Sequence, residues 1–473
     1  MRSARTARRG VLLWLAVLLG AAQAPAADLA SRLEATLEAP ALRGARVAAL
    51  VVDAAGRPLF ARTPDEPLIP ASNHKVLTAL VALDVLGPTH RFTTPLLSDR
   101  APDAEGRVGT LYLRGSGDPT LVSEDFWRIA ADLRRAGLRR VDGDLVLDDS
   151  AFDGRRWHPS WGKTGSRAYH APVGALTVNY GAFAVTVEPG GAQGDPLRVV
   201  VDPPIPRLAL SQRGITGSSR ARSTLLVDRQ PGDGVERVIV RGAMPAGREA
   251  KTLHRSVLDP ARYAGGVLRM QLAALGIEVR GGTRVGYTPA DAHELVAFEG
   301  KPLSQVVRLF MKYSNNQMGE ALLKTLGARE TGGAGTWPSG AAVVQARLEA
   351  LGLPTAGLVL RDGSGLSYEN RVTPRLLVAA LRHGAGDFAI APEFEAALPL
   401  AGADGTLEDR AEEAVGSVRA KTGLLTRVTG LSGYARAADG RRLTFSILVN
   451  GFRGSAQGAM NALDRFAEAL AAP

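Results

Sequence analysis

The residues able to do chemistry fall in three short polar stretches. Ser72-Asn73-His74-Lys75 sets a hydroxyl and an amine three positions apart, after Pro70-Ala71 and at the head of an apolar run over 76–86. On a helix such residues share a face, with Cβ atoms ~5–6 Å apart. A serine hydroxyl is a weak nucleophile until a neighbouring base takes its proton. A lysine amine acts as that base only when burial or a second cation lowers its pKa. Taken alone, the tetrapeptide reads more simply as a serine N-cap beside a solvated lysine. The second stretch, Ser314-Asn315-Asn316, lies where a helix over 303–312 runs out, and by itself is a polar helix end. The third, Lys421-Thr422-Gly423, ends an alternating run over 415–420 that reads as a strand. The chain has 50 arginines but only seven lysines, so each lysine is informative. A competing pair exists. Ser160-Trp161-Gly162-Lys163 repeats the serine–lysine spacing, and Lys163 also opens a Lys-Thr-Gly. One lysine cannot fill both roles, and His158-Pro159 cannot open a regular helix, so 160–165 is read as a surface loop.

The elements that must position these residues fall into three regions. A buried strand over 46–53, a turn at Gly56-Arg57-Pro58 and a helix over 75–86 open the mature chain; Gly87-Pro88 ends the helix. From about 93 to 290 the chain is rich in Gly, Pro, Arg and short strands, interrupted by helices near 126–135 and 263–275. After about 295 helical periodicity returns, with Leu303, Val306, Val307 and Phe310 on one face and similar patterns over 341–351 and 375–381. Two strands, 428–435 and 442–449, and a final helix over 456–471 complete it. The flanks are alike and the middle is not, which points to an α/β unit opened by a β-rich insertion.

Composition excludes much else. At 473 residues and 45% hydrophobic, the chain is globular and long enough for two to four folded units. There is no cysteine, hence no disulfide, thiolate metal site or cysteine nucleophile, and the seven histidines never fall into a ligand spacing. Residues 1–26 have the parts of an export signal: Arg2, Arg5, Arg8 and Arg9, an apolar core over 11–20, and Ala24-Pro25-Ala26 for cleavage. The apolar core is too short to span a bilayer, so no stable membrane anchor is expected. Arg8-Arg9 hints at a twin-arginine route, but Gly-Val-Leu follows, which favours general secretion. Losing those four arginines lowers the net charge from +10 to +6. A mildly basic exported protein suits an anionic wall polymer; the scattered arginines do not suit nucleic acid.

Together, and in this order, Ser72/Lys75, Ser314/Asn316 and Lys421/Thr422/Gly423 make the motif set of penicillin-recognising serine enzymes. Over nearly the whole mature chain the sequence resembles the D-alanyl-D-alanine carboxypeptidase/endopeptidases, the class C low-molecular-mass penicillin-binding proteins or S13 serine peptidases. Pro70-Ala71-Ser72, Gly115-Ser-Gly-Asp-Pro-Thr120, Tyr169-His-Ala-Pro172, Asp362-Gly-Ser-Gly-Leu-Ser367 and Leu398-Pro-Leu-Ala-Gly-Ala-Asp-Gly-Thr406 look like that family's segments. So does the spacing: 242 residues from Ser72 to Ser314, but 107 from Ser314 to Lys421. A β-lactamase carries no such insertion. Tyr313-Ser314-Asn315 also fits the Y-x-N of class C β-lactamases, but the family pattern favours Ser314 and Asn316.

The resemblance implies a transpeptidase/β-lactamase-like domain, an antiparallel sheet with helices on both faces, over 27–92 and 294–473. It is interrupted by an inserted domain over 93–172 and 255–293, with another nested at 173–254. It implies that Lys75 deprotonates Ser72 and that Lys421 both keeps Lys75 neutral and draws the substrate's terminal carboxylate, with help from Thr422. Ser314 would pass a proton to the leaving amine, Asn316 would orient Lys75, and the Ser72 and Leu424 amides would form the oxyanion hole. Gly423 would let the backbone approach the ligand. No metal or organic cofactor is implied. The partners implied are peptidoglycan stem peptides, with β-lactam antibiotics as inhibitors; a homodimer stays open. Tyr368 stands where many relatives carry an arginine, and Arg371 is a substitute to examine. A β-lactamase or a non-catalytic wall-binding protein on the same fold are the alternatives.

Overall fold

The computed structural model describes residues 24–472. The expected export signal lies outside them, apart from residues 24–26 in the first turn of a helix, Ala24–Leu37. That helix precedes the first strand, so the described residues open on a helix rather than on the strand expected. No helix among the described residues is long and apolar enough to cross a membrane.

Arg46–Val52 has six buried residues in succession, the run expected of a strand covered on both faces. It pairs antiparallel with Pro58–Arg62 on one side and Arg442–Asn450 on the other. The five-stranded sheet continues through Val428–Arg436 to an edge strand, Val418–Leu425. The two ends of the chain therefore close one sheet. On one face, Leu33 of the first helix and Leu463 and Phe466 of the last, Ala456–Ala471, pack on Val51, Ile447 and Val449. On the other face lie Lys75–Leu86, Leu303–Lys312, Asn316–Thr331, Trp337–Ala350 and Pro374–Gly386, sharing a second core with Ala48 and Leu448. Residues 75–83 are buried all round, so Lys75–Leu86 is a central helix without a solvent stripe. Each of its buried leucines and valines contributes roughly 1.5–3 kcal/mol, which fixes the turn in front of it. Gly87, at φ +82°, ends it in a conformation that favours glycine.

The middle of the chain leaves through Arg91–Ser98 and returns through His293–Pro302, which pair antiparallel at the edge of a second five-stranded sheet. That sheet is mixed: Leu145–Asp148 runs parallel to both Leu111–Arg114 and Thr283–Val285. Helices Ser123–Arg135 and Pro260–Ala274 cover it, and three-stranded sheets fill the interval between residues 182 and 256. This region has its own apolar core around Phe126, Leu147 and Tyr263.

Two expected boundaries shift. The strand expected over 415–420 begins at Val418 and runs through Lys421-Thr422-Gly423 to Leu425, because Gly416 turns the chain at φ +69° just before it. The polar stretch at 314–316 is a junction between two helices, with Asn316–Thr331 beginning where the sequence suggests only an end.

Candidate active site

Ser72 sits in a single 3-10 turn, Ala71–His74, directly ahead of the central helix, and Lys75 is that helix's first residue. Lys75 is fully buried. Its Nζ lies 2.9 Å from Ser72 Oγ, donates to Asn316 Oδ1 at 2.9 Å and donates to the Ser364 carbonyl at 2.7 Å. A neutral amine has two hydrogens and one lone pair. The carbonyl and the amide oxygen can only accept, so they take both hydrogens and leave the lone pair facing the serine hydroxyl. The amide's orientation is fixed from its other end, where Asn316 Nδ2 donates to the Tyr169 carbonyl at 3.0 Å. Burial brings the Lys75 pKa down to about 7, against the pull of Glu320 and Asp362 in the opposite direction. Lys421 is also fully buried, and burial, then Lys75 and Arg410, hold its pKa well below the usual lysine value.

Lys421 Nζ donates to Ser314 Oγ at 2.8 Å and to the Thr422 carbonyl at 2.7 Å. Thr422 Oγ1 is 2.7 Å from Thr406 Oγ1. Ser314 is held at φ +55°, a conformation that costs a non-glycine residue about 1–3 kcal/mol and that clusters at functional sites. Asn315 is occupied as the N-cap of the next helix, accepting from the Met318 amide at 3.0 Å, which leaves Asn316 as the residue that meets Lys75. Ser72, Ser314, Asn316 and Leu424 line one cleft of about 800 Å³, with Trp161 and Tyr368 on its walls. The three stretches thus converge.

Gly423 has a role in the geometry beyond the one expected. It pairs across the strands with Gly430, and a Cβ on either would come 2.6 Å from Asn73 Nδ2. The close approach is that of the nucleophile's own turn, which seats on this bare patch.

Several residues at the site carry no sequence motif that marks them. Glu320, on the same helix face as Asn316 one turn on, is fully buried; its Oε1 accepts from the Ser364 amide at 2.9 Å and its Oε2 from Gly363 N and Trp337 Nε1 at 3.0 and 2.7 Å. Burial, with Asp362 close by, pushes its carboxyl up to about 7. Asp362 binds the other side of the same turn, accepting from the amides of Gly365 and Ser367, from Asn370 Nδ2 and from Trp161 Nε1. The two carboxylates hold the Ser364 carbonyl against Lys75. Behind them Lys324 Nζ lies 3.7 Å from the centre of the Trp337 ring and 2.5 Å from Asp153. The 160–165 loop is therefore more than surface. Lys163 is exposed, but Ser160 Oγ is 2.6 Å from Ser367 Oγ and Trp161 braces Asp362. Arg371 does not line the cleft, and its guanidinium donates to the Tyr368 and Asn370 carbonyls; Arg427, which does line it, donates to the Phe452 and Gly451 carbonyls, and the Tyr368 hydroxyl accepts from the Thr426 amide at 3.0 Å.

The chain is similar to known proteins over most of its length. Residues 29–470 match the model of the D-Ala-D-Ala carboxypeptidase 3 (S13) family. A D-alanyl-D-alanine carboxypeptidase of Actinomadura sp. (strain R39) is 40% identical over 457 residues, 93% of this chain and 84% of that protein. The crystal structure of penicillin binding protein 4 (dacB) from Haemophilus influenzae matches with a TM-score of 0.79 at 25% identity, over 94% of this chain and 97% of that one. The same protein complexed with a β-lactam matches with a TM-score of 0.75 at 24% identity and equal coverage.

Proposed function

This chain belongs to the D-Ala-D-Ala carboxypeptidase 3 (S13) family, and from that premise we propose that Ser72 is the nucleophile with which it cleaves peptidoglycan stem peptides. The enzyme is a serine-type D-Ala-D-Ala carboxypeptidase. In the proposed sequence Lys75 takes the Ser72 proton as Oγ attacks the carbonyl of the penultimate D-Ala. The oxyanion that forms is held by the backbone amides of Ser72 and Leu424, each such donor contributing roughly 3–4 kcal/mol. Lys421 and Thr422 receive the terminal carboxylate; the arriving anion opposes the lowering of the Lys421 pKa by burial. Ser314, bonded to Lys421, passes a proton to the departing amine. The C–N bond breaks, a serine ester remains, and water releases it. Asn316 keeps the Lys75 lone pair on the serine until the proton moves.

We assign residues 27–92 and 294–473 to the peptidase unit, 93–172 and 255–293 to the first inserted unit and 173–254 to the nested one. The arginine-led, apolar segment over 1–26 supports export to the periplasm or cell envelope.

The observation that carries this reading is the amine between Ser72 Oγ, Asn316 Oδ1 and the Ser364 carbonyl. β-Lactams present a carbonyl beside a carboxylate much as the D-Ala-D-Ala end does, and a relative is solved with one bound. The purified chain is expected to form a covalent penicillin adduct on the peptide containing Ser72, and Ser72→Ala to form none. Labelling that persists in the variant refutes the assignment.

A further inference from the structure

The state of Lys75 depends on which way the Asn316 amide faces. With Oδ1 toward the amine it accepts one hydrogen and leaves the lone pair on Ser72. Turned over, its Nδ2 would donate to that lone pair and take it from the serine. One acceptor decides between the two, the Tyr169 carbonyl, 3.0 Å from Asn316 Nδ2. The Tyr169 side chain is 49% exposed, so the place of its carbonyl is set by the backbone on either side.

That backbone is a single 3-10 turn, Ala168–His170, tied at both ends. At one end the His170 carbonyl accepts from Trp157 Nε1 at 2.9 Å, and His170 Nδ1 accepts from the Gly165 amide at 3.0 Å. At the other end the ties run to the strands between residues 182 and 256. The Ser166 carbonyl accepts from the Ser256 amide at 2.8 Å, and Arg167 forms a β-bridge with Arg255, both on the strand Lys251–Ser256. Ser166 Oγ donates to Asp228 Oδ1 at 2.5 Å, on Leu226–Pro231, the outer strand of a second three-stranded sheet. A hydroxyl bond to a carboxylate at this length is charge-assisted and stronger than a neutral one. The two strands are also joined to each other, Arg255 Nε donating to the Val227 carbonyl at 2.8 Å and Arg229 to Ser256 Oγ at 3.2 Å. Asp228 does not line the Ser72 cleft, yet three hydrogen bonds and one short turn connect it to Lys75.

We propose that Asp228 is a positioning residue for the reaction: through Ser166 it fixes the Tyr169 carbonyl, and with it the facing of the Asn316 amide. The nested unit thereby takes part in catalysis without touching the substrate. The proposal rests on the serine mechanism above and adds no step to it, since Asp228 supplies orientation and exchanges no proton or bond.

The test follows acylation of the purified full chain by a fluorescent penicillin against pH, in the wild type, Asp228→Ala, Ser166→Ala, their double variant and Asp228→Asn. Each alanine variant is expected to slow acylation about fivefold on the plateau, and the double variant no further, because both remove the same bond. Asp228→Asn keeps an acceptor for Ser166 without the charge, and should restore most of the rate. The acid limb should move to lower pH in the alanine variants, because an amide free to turn its N–H toward Lys75 no longer supports the ammonium form. The charges facing that amine are the same in every variant: His74 beside it, Glu320 on its helix, Asp362 in its turn and Lys421 on the edge strand. A slower rate with an unmoved limb, or a loss in Asp228→Asn equal to that in Asp228→Ala, overturns the proposal. If Asp228→Ala does not fold, Ser166→Ala carries the same comparison. Alanine variants that match an acylated wild type refute this inference alone; a wild type that is not acylated refutes the serine mechanism and this inference with it.

Discussion

Replacing Gly423 with alanine puts one methyl group where the nucleophile's turn now rests. Its carbon would lie 2.6 Å from Asn73 Nδ2, 3.0 Å from the Pro70 carbonyl oxygen and 3.1 Å from Ala71 Cβ. Restoring a separation of ~3.5 Å moves the turn by roughly 0.5–1 Å. There is no slack behind it. A Cβ on Gly365, on the far side, would come 2.0 Å from the Ala71 carbonyl, so that wall is in contact too. Overpacking of this kind costs about 1–3 kcal/mol of stability, which a core of this size tolerates. Catalysis is the more sensitive readout. A displacement near 1 Å costs a reaction that depends on alignment on the order of 10²-fold. Gly423→Ala is therefore expected to fold, to melt a few degrees lower, and to be acylated by a fluorescent penicillin about 10–100-fold more slowly. A folded variant acylated at the wild-type rate would show that the bare patch does not position Ser72.

Two further predictions concern the amine and its support. Acylation needs neutral Lys75, and burial sets its pKa at about 7, so kcat/KM rises with pH through that value and flattens above it; a profile still climbing near pH 10 would mean an ordinary, solvated lysine. Glu320→Gln replaces one of two acceptor oxygens with a donor that faces N–H groups, leaving donors unpaired at a cost of roughly 1–3 kcal/mol. Both thermal stability and the acylation rate should drop, since the Ser364 carbonyl loses its anchor; wild-type values for both would argue against that support.

The Ser72–Lys75 pair at a helix start, the helix itself and the last two strands were legible because each depends on local pattern. Leu303–Lys312 matches its expected bounds since its buried residues, Leu303, Val306, Val307 and Phe310, repeat at helical spacing. Asn316–Thr331 was not legible for the opposite reason. It is buried nearly all round and includes Gln317, Glu320 and Lys324, so no apolar stripe marks it. The link from Trp161 to Asp362 spans 201 residues, a contact between two loops that neither segment's pattern encodes. The part burial plays in the Lys75 shift was not legible, because spacing reports the presence of a second lysine, whereas desolvation depends on what packs around the first.

The pairing of Arg46–Val52 with Arg442–Asn450 has a consequence for timing. Arg46–Val52 has Pro58–Arg62 as a local partner, but its other partner exists only after some 390 intervening residues, and one of the helices that cover the sheet is the last in the chain. Such distant contacts form late and slowly. A partly synthesised chain therefore has Ser72 but no edge strand to carry Lys421, and the three polar stretches cannot meet until that strand exists.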